Sequence, residues 1–137
     1  MSWTWIHPEV VLAIHDQQIA EHGGINGIRD MRLLDSALAR PLQLEAYGDP
    51  DVFDLAATYA HGIARNHPFV DGNKRTAYVV CMLFLRLHGF QVKAPGPDRV
   101  ILFERLGKGA IQQEELAAWL RGHGLSVGPK QDANGTG

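Results

Sequence analysis

The segment YVVCMLFLRL, residues 78–87, is the most apolar stretch of this 137-residue chain. Arg86 interrupts the segment, which is also too short to span a bilayer. A helix over about 73–88 would carry apolar side chains around nearly its whole circumference, so other elements must enclose it. The segment therefore predicts the central helix of a folded domain, and no membrane is expected as a partner.

Periodic apolar residues and helix-ending residues predict five more helices around this one. They cover about 8–22, 30–40, 51–66, 98–106 and 112–121. The second is expected to end before Pro41, because proline disfavours a helical residue before it, and residues 41–50 then form a turn-like flap. FQVKAP, which follows Gly89, is either a short edge strand or a plain connector. The predicted fold class is all-α, a single-domain helical bundle around a buried central helix.

Composition narrows the possible partners and compartment. The formal net charge is −2 and no run of lysine and arginine occurs, so direct nucleic-acid binding is not expected. Cys81 is the only cysteine, which excludes an intrachain disulfide, and its place in the apolar run predicts a buried, unreactive thiol. No N-terminal signal peptide is seen, so a soluble cytoplasmic protein is expected.

Directly before the apolar helix stands HPFVDGNKR, residues 67–75, which concentrates charged and hydrogen-bonding groups. The free N–H groups at the start of a helix bind anions such as phosphate, and Gly72 would allow close approach of a ligand. Lys74 and Arg75 add two cations that can neutralise phosphate oxygens. Asp71 is a hard oxygen ligand suited to magnesium, and the imidazole of His67 is a side chain that can act as a general base.

The same residues also allow a purely structural interpretation. Asp71 or Asn73 would then be the N-cap of the following helix, and Gly72 a turn residue. His67 would hydrogen-bond a nearby carbonyl, while Lys74 and the next arginine would simply be solvated. The residues alone leave both interpretations open.

HPFVDGNKR resembles the core motif of the Fic/Doc family, H-x-F-x-D/E-A/G-N-G/K-R. The segments HPEVVLAIHDQQIAEHGG and FLRLHGFQV are similar to parts of the short death-on-curing (Doc) toxins of that family. The resemblance covers about residues 5–124, which sets the expected domain. Residues 125–137 have no apolar periodicity and are predicted to be a disordered C-terminal tail.

The resemblance implies a role for each motif residue. His67 would be the general base that activates a target hydroxyl, and Asp71 would bind Mg²⁺. Phe69 would be the apolar anchor of the loop. The phosphates of ATP would be held by four consecutive residues: Gly72, Asn73, Lys74 and Arg75.

Two positions bear on the type of reaction. Most family members transfer AMP and carry G-N-G-R-x-x-R, whereas Lys74 and Tyr78 here replace the last glycine and the second arginine. A lysine fills space needed by a docked diphosphate, and the lost arginine removes a bidentate phosphate clamp. Doc toxins share this variant, which implies a protein kinase that phosphorylates a threonine of the translation factor elongation factor Tu and inhibits translation. The alternatives are AMP transfer and a catalytically silent peptide-binding module.

The sequence also gives predictions about regulation, target docking and residues outside the motif. An inhibitory S/T-x-x-x-E-G/N motif is not found in the sequence, which points to control by a separate antitoxin whose disordered segment folds into a groove. Residues 23–30 and 41–50 are the candidates for target docking. His15 and His22 are expected to be surface residues, and His61 to support the site or to pack. Arg65 is expected to be an exposed helix-end residue.

Overall fold

The computed structural model describes residues 2–127, which form six helices and two short strands. The elements in chain order are α1 (Pro8–His22), α2 (Met31–Tyr47), α3 (Val52–Asn66), α4 (Asn73–Leu87), β1 (Phe90–Val92), α5 (Gly96–Gly107), α6 (Gln113–His123) and β2 (Gly124–Ser126). The predicted all-α fold class is confirmed. None of the described residues form a helix long and apolar enough to cross a membrane.

The buried central helix is α3 and not α4, so that assignment from the sequence was wrong. Eleven of the fifteen residues of α3 are buried, against seven of fifteen in α4. α3 packs on α2, α4, α5 and α6. Its buried side chains are mostly small, and Gly62 lies so close to α2 that an added Cβ would stand 3.1 Å from the Cβ of Ala37. Large apolar side chains dominate the hydropathy of a segment, whereas small residues allow helices to pack closely. Hydropathy therefore pointed to α4 and not to α3.

α2 continues through Pro41 to Tyr47, so the predicted end before Pro41 and the flap over 41–47 were wrong. A proline inside a helix removes one backbone hydrogen bond and costs roughly 3 kcal/mol. The apolar face of α2 offsets this cost, since each fully buried large side chain contributes about 1.5–3 kcal/mol. That face consists of Leu34, Ala37, Leu38 and Pro41, all buried. Tertiary packing thus outweighs the local preference of proline.

The edge-strand alternative for FQVKAP is confirmed, because β1 pairs antiparallel with β2. The register places Phe90 opposite Ser126 and Val92 opposite Gly124. Residues 125 and 126 therefore belong to the sheet, and their assignment to a disordered tail was wrong. A three-residue strand is too short for sequence periodicity to reveal. Residues 128–137 of the predicted tail lie outside the described residues.

The prediction that Cys81 is buried is confirmed, and the structure adds Asp51 as a capping residue. Asp51 caps α3, and it exchanges hydrogen bonds with Asp54 in a capping box. Cys81 is fully buried in the core, where burial raises the pKa of its thiol and keeps it protonated.

Candidate functional site

The candidate site is the loop 67–72, which connects the C-terminus of α3 to the N-terminus of α4. His67 is the C-cap of α3 and has a left-handed backbone, with φ 51° and ψ 59°. It is the only residue other than glycine with positive φ among residues 2–127. A non-glycine residue rarely adopts this conformation, so the surrounding contacts must enforce it. The imidazole is exposed to solvent at this corner.

Arg29 holds this corner from outside the loop. Its Nε donates to the carbonyl of His67 over 2.7 Å, and its Nη2 donates to the carbonyl of Asn66 over 2.9 Å. The last carbonyls of a helix have no partner within the helix, and a cation there also matches the helix dipole. Arg29 therefore caps α3 while it fixes the backbone of His67.

The side chain of Asn73 closes the loop from inside. Its Oδ1 accepts the N–H of Phe69 at 3.0 Å, and its Nδ2 donates to the carbonyl of the same residue at 2.9 Å. Asn73 is 6% exposed and Phe69 1%, so these bonds satisfy groups that water does not reach. Nδ2 also lies 3.5 Å from Nδ1 of His67, at the outer limit of a hydrogen bond. The side-chain amide is thus engaged within the loop, and the backbone N–H of Asn73 makes no hydrogen bond to residues 2–127.

Asp71 is held at both its side chain and its backbone. Carboxylate oxygen Oδ2 accepts the N–H of Ile25 at 2.9 Å, and the backbone carbonyl lies 2.8 Å from Nε2 of His15. His15 is 2% exposed and its ring lies parallel to that of Phe69, with centroids 3.8 Å apart. The prediction that His15 is a surface residue was therefore wrong. Exposed His22, on the same helix, matches its prediction.

Gly72 begins α4 with φ 78° and ψ 17°, a conformation that favours glycine. The first backbone bond of α4 runs from the N–H of Thr76 to the carbonyl of Gly72. The N–H groups of residues 73–75 consequently have no partner within the helix. Because this end carries partial positive charge, it is suited to bind an anion.

The two cations of the motif take different positions. Arg75 donates through Nη2 to the carbonyl of Gly23 at 3.0 Å, so it ties α4 to the end of α1. The side chain of Lys74 is exposed, and its stem lies against Gly107 at the end of α5. Lys74 forms no ion pair within residues 2–127. The structure thus leaves the Lys74 ammonium free for an anion.

Residues 23–30 pack beside the loop as a short antiparallel pairing. Ile28 forms a bridge with Phe69, the N–H of Arg29 donates to the carbonyl of Pro68 at 2.7 Å, and the N–H of Val70 donates to the carbonyl of Gly27 at 3.0 Å. Three apolar side chains nevertheless point outward here: Ile25 (66% exposed), Ile28 (48%) and Val70 (46%). They make an apolar rim around the loop.

No group of three or more metal-binding side chains occurs within the described part of the chain. Mg²⁺ does not need such a group, since it is often held by one or two carboxylates together with substrate phosphates and water. Oxygen Oδ1 of Asp71 makes no hydrogen bond to residues 2–127, in contrast to Oδ2. One carboxylate oxygen beside an anion-binding helix end is a donor set that fits a Mg²⁺–phosphate group.

Two polar residues of α3 near the loop, His61 and Arg65, make contacts away from it. His61 is half-buried and its Nδ1 lies 3.0 Å from Nη1 of Arg40. Burial and the cations of Arg40 and Arg65 lower the pKa of His61. Arg65 is exposed, as predicted, and donates to the carbonyl of Gly107 at 2.9 Å.

Two residues that shape the loop, Arg29 and His15, were not predicted from the sequence. Arg29 follows a glycine-rich segment without any recognisable spacing to the motif. His15 does carry a weak signal, because with Val11 and Ile19 it falls at i, i+4 and i+8 on α1. A polar residue within that apolar row indicates a buried polar contact.

A family model and two related proteins agree on one relationship. Residues 5–85 match the model of the Fic/DOC family. The "Protein kinase doc" of Escherichia phage P1 is 37% identical over 117 residues, which are 85% of this chain and 92% of that protein. The "Toxin Doc" of Mycolicibacterium smegmatis is 47% identical over 75 residues, which are 53% of this chain and 57% of that protein.

Proposed function

This chain belongs to the Fic/DOC family, and on that basis we propose that it is a Doc-like toxin of a toxin–antitoxin system. In this proposal it is a protein kinase that transfers the γ-phosphate of ATP to a serine or threonine hydroxyl of a cytoplasmic protein. One observation carries the proposal: exposed His67 ends α3, the anion-binding start of α4 lies one loop away, and Asn73 and Arg29 fix the loop between them.

His67 is the general base of the proposed reaction. It accepts the proton of the target hydroxyl while the hydroxyl oxygen forms a bond to the γ-phosphorus, and the bond from that phosphorus to the bridging oxygen of ADP breaks. The N–H groups of residues 73–75 and the ammonium of Lys74 bind phosphate oxygens. Mg²⁺, when bound by Asp71, neutralises charge on the phosphates. A rigid loop suits this reaction, because positioning supplies much of the catalysis.

Lys74 and Tyr78 favour γ-phosphate transfer over AMP transfer. The stem of Lys74 lies against Gly107, so the lysine occupies the space beside the start of α4. Tyr78 is half-buried and packs edge-on against Phe103, with centroids 5.1 Å apart, where an arginine would have offered a second phosphate clamp. Both features disfavour a docked diphosphate and support a reversed nucleotide.

The catalytic role of His67 is tested by single-turnover transfer from γ-labelled ATP, with translation extract as the source of target. His67→Ala is expected to lower the rate by about two to four orders of magnitude, while the thermal midpoint stays close to that of the wild type. His7→Ala is the matched control, since His7 is exposed and makes no capping hydrogen bond with its side chain. An unchanged rate for His67→Ala would refute the general-base assignment.

The proposed target is a translation factor, with elongation factor Tu as the first candidate, so transfer inhibits translation. The apolar rim of Ile25, Ile28 and Val70 supports docking of an extended target segment beside His67, because exposed apolar residues around a polar site are typical of interaction surfaces. Residues 41–47 lie in α2 and are no longer a candidate flap. Ile28→Asp is expected to raise the KM for the protein target without changing the affinity for ATP.

A groove along α4 supports an antitoxin partner. A cavity of about 540 Å³ between α1, α4 and α5 continues into a second of about 480 Å³, and the two share Tyr78 and Arg99. The first cavity has a mostly apolar surface and the second a mostly polar one. One carboxylate, Glu104, and five cations line the groove: Lys74, Arg75, Arg86, Lys93 and Arg99. Such a surface complements an amphipathic helix with acidic residues, formed when a disordered segment binds. Arg99→Glu is expected to weaken inhibition by the antitoxin.

Two other functions remain as defined alternatives. Transfer of AMP would require the ordinary nucleotide pose despite Lys74. A silent peptide-binding module would use the groove alone, but the enforced backbone of His67 supports chemistry at the loop, since strain of this kind accumulates at active sites.

A further inference from the structure

His15 is a buried polar residue that the proposed reaction does not use. It projects from the middle of α1 and is 2% exposed, although Asp16 and Gln17 beside it are exposed. A buried polar side chain normally serves a specific hydrogen bond, because burying it without one is costly. The single hydrogen bond of the His15 side chain within residues 2–127 joins its Nε2 to the backbone carbonyl of Asp71, over 2.8 Å.

This contact determines which nitrogen of the His15 ring carries a proton. A carbonyl oxygen can only accept a hydrogen bond, so Nε2 of His15 must carry the proton. The ring is also clamped in its plane, since it lies parallel to Phe69 with an interplanar angle of 6° and a centroid distance of 3.8 Å. His15 therefore presents one N–H in a fixed direction toward the backbone of Asp71.

His15 also forms part of the floor beneath Gly72. A Cβ added to Gly72 would lie 3.6 Å from both Cδ2 and Nε2 of His15, and 3.3 Å from Cδ1 of Ile19. Residues 15 and 19 are one turn apart on α1 and share one face. The backbone of residues 71–72 packs against that face of α1.

We infer that His15 is a positioning residue, whose Nε2–H holds the Asp71 backbone so that the carboxylate points to the phosphate site at the start of α4. Ile25 restrains the carboxylate through Oδ2, and His15 restrains the same residue through its carbonyl. Together the two bonds orient the remaining oxygen, Oδ1. This inference rests on the proposed role of Asp71 in binding Mg²⁺ with ATP.

Two variants of similar size, His15→Gln and His15→Asn, distinguish the effect of the lost hydrogen bond from that of a smaller side chain. His15→Gln places an amide N–H close to the position of Nε2, whereas His15→Asn reaches only to the position of Nδ1. His15→Phe keeps the ring stack and removes the donor, so it serves if His15→Asn does not fold. His7→Gln, at the N-cap of the same helix, is the control.

The measurement is calorimetric titration of ATP into each protein, with Mg²⁺ and with a chelator. The ratio of the two affinities is the magnesium enhancement, and Asp71→Asn should abolish it. We expect His15→Asn and His15→Phe to lower the enhancement about tenfold, with His15→Gln within about threefold of the wild type. ATP affinity without Mg²⁺ should not change in any of them. Equal losses with and without Mg²⁺ would mean a merely structural role and would overturn the inference.

A ligand-free measurement keeps this inference distinct from the proposed function. In the ¹⁵N NMR spectrum of the imidazoles, His15 should show a protonated Nε2 that exchanges slowly with water. A bare Nε2 would overturn the inference whatever the protein does with ATP. If Nε2 is protonated but the wild type shows no magnesium enhancement, the proposed role of Asp71 fails, and the inference that depends on it fails with it.

Discussion

Replacement of Asn73 by alanine distinguishes a loop-forming residue from a phosphate ligand. The Asn73 side chain satisfies both the N–H and the carbonyl of Phe69, and both residues are buried. Asn73→Ala leaves these two groups without partners, and an unsatisfied buried group costs about 1–3 kcal/mol. For the two groups together we therefore expect a loss of about 2–6 kcal/mol in the free energy of unfolding. For a domain of this size, that lowers Tm by roughly 8–24 °C.

The assay is urea unfolding followed by circular dichroism, with calorimetric ATP binding on the same samples. Lys74→Ala is the matched control, because Lys74 is exposed and forms no ion pair within residues 2–127. The control should lose ATP affinity and keep its stability within about 0.5 kcal/mol. An Asn73→Ala protein with wild-type stability but weaker ATP binding would refute the loop-forming role and restore the amide as a phosphate ligand.

Three further predictions follow from neighbouring contacts. Arg29→Met should lower kcat about tenfold while Tm changes by a few degrees at most, since it releases the carbonyl of His67; an unchanged kcat would contradict this. Gly72→Ala should cost roughly 1–2 kcal/mol of stability in urea unfolding, because φ is 78° and Ile19 Cδ1 would lie 3.3 Å from the new Cβ. The lowered pKa of His61 means that the unfolded chain takes up its proton first as pH falls. The stability that His61 contributes is thus fully present above pH 6.5. It is lost as the pH falls from 6.5 toward the lower pKa of His61 in the folded protein. Urea unfolding at several pH values in that window measures the effect. His61→Asn should make the free energy of unfolding less dependent on pH, and an unaltered pH dependence would exclude a contribution from His61.

Local signals predicted much of this molecule correctly. Pro8 and the pair Gly23-Gly24 bracket α1, and the Asp51 capping box begins α3 at the expected residue. In these places the residue that starts or ends the helix acts through its own backbone or nearest neighbours. The motif 67–75 is also continuous in sequence, so its residues come together whatever the rest of the chain does.

The errors have a common physical origin in tertiary packing. Pro41 lies inside α2 because burial against α3 outweighs its lost hydrogen bond. Small residues such as Gly62 make α3 the central helix, and hydropathy alone cannot reveal close approach. Arg29 and His15 reach the loop from 38 and 56 residues away in sequence, which no local pattern encodes.

Transfer of the γ-phosphate of ATP at this loop can be measured with two forms of labelled ATP. The purified protein is incubated with Mg²⁺ and translation extract, in parallel with ATP labelled at the γ-phosphate and at the α-phosphate, and labelled bands are identified by intact mass. Label is expected from the γ-position only, on a protein target, and none with His67→Ala. Label from the α-position would contradict this expectation and establish AMP transfer, and no label from either would favour the binding module.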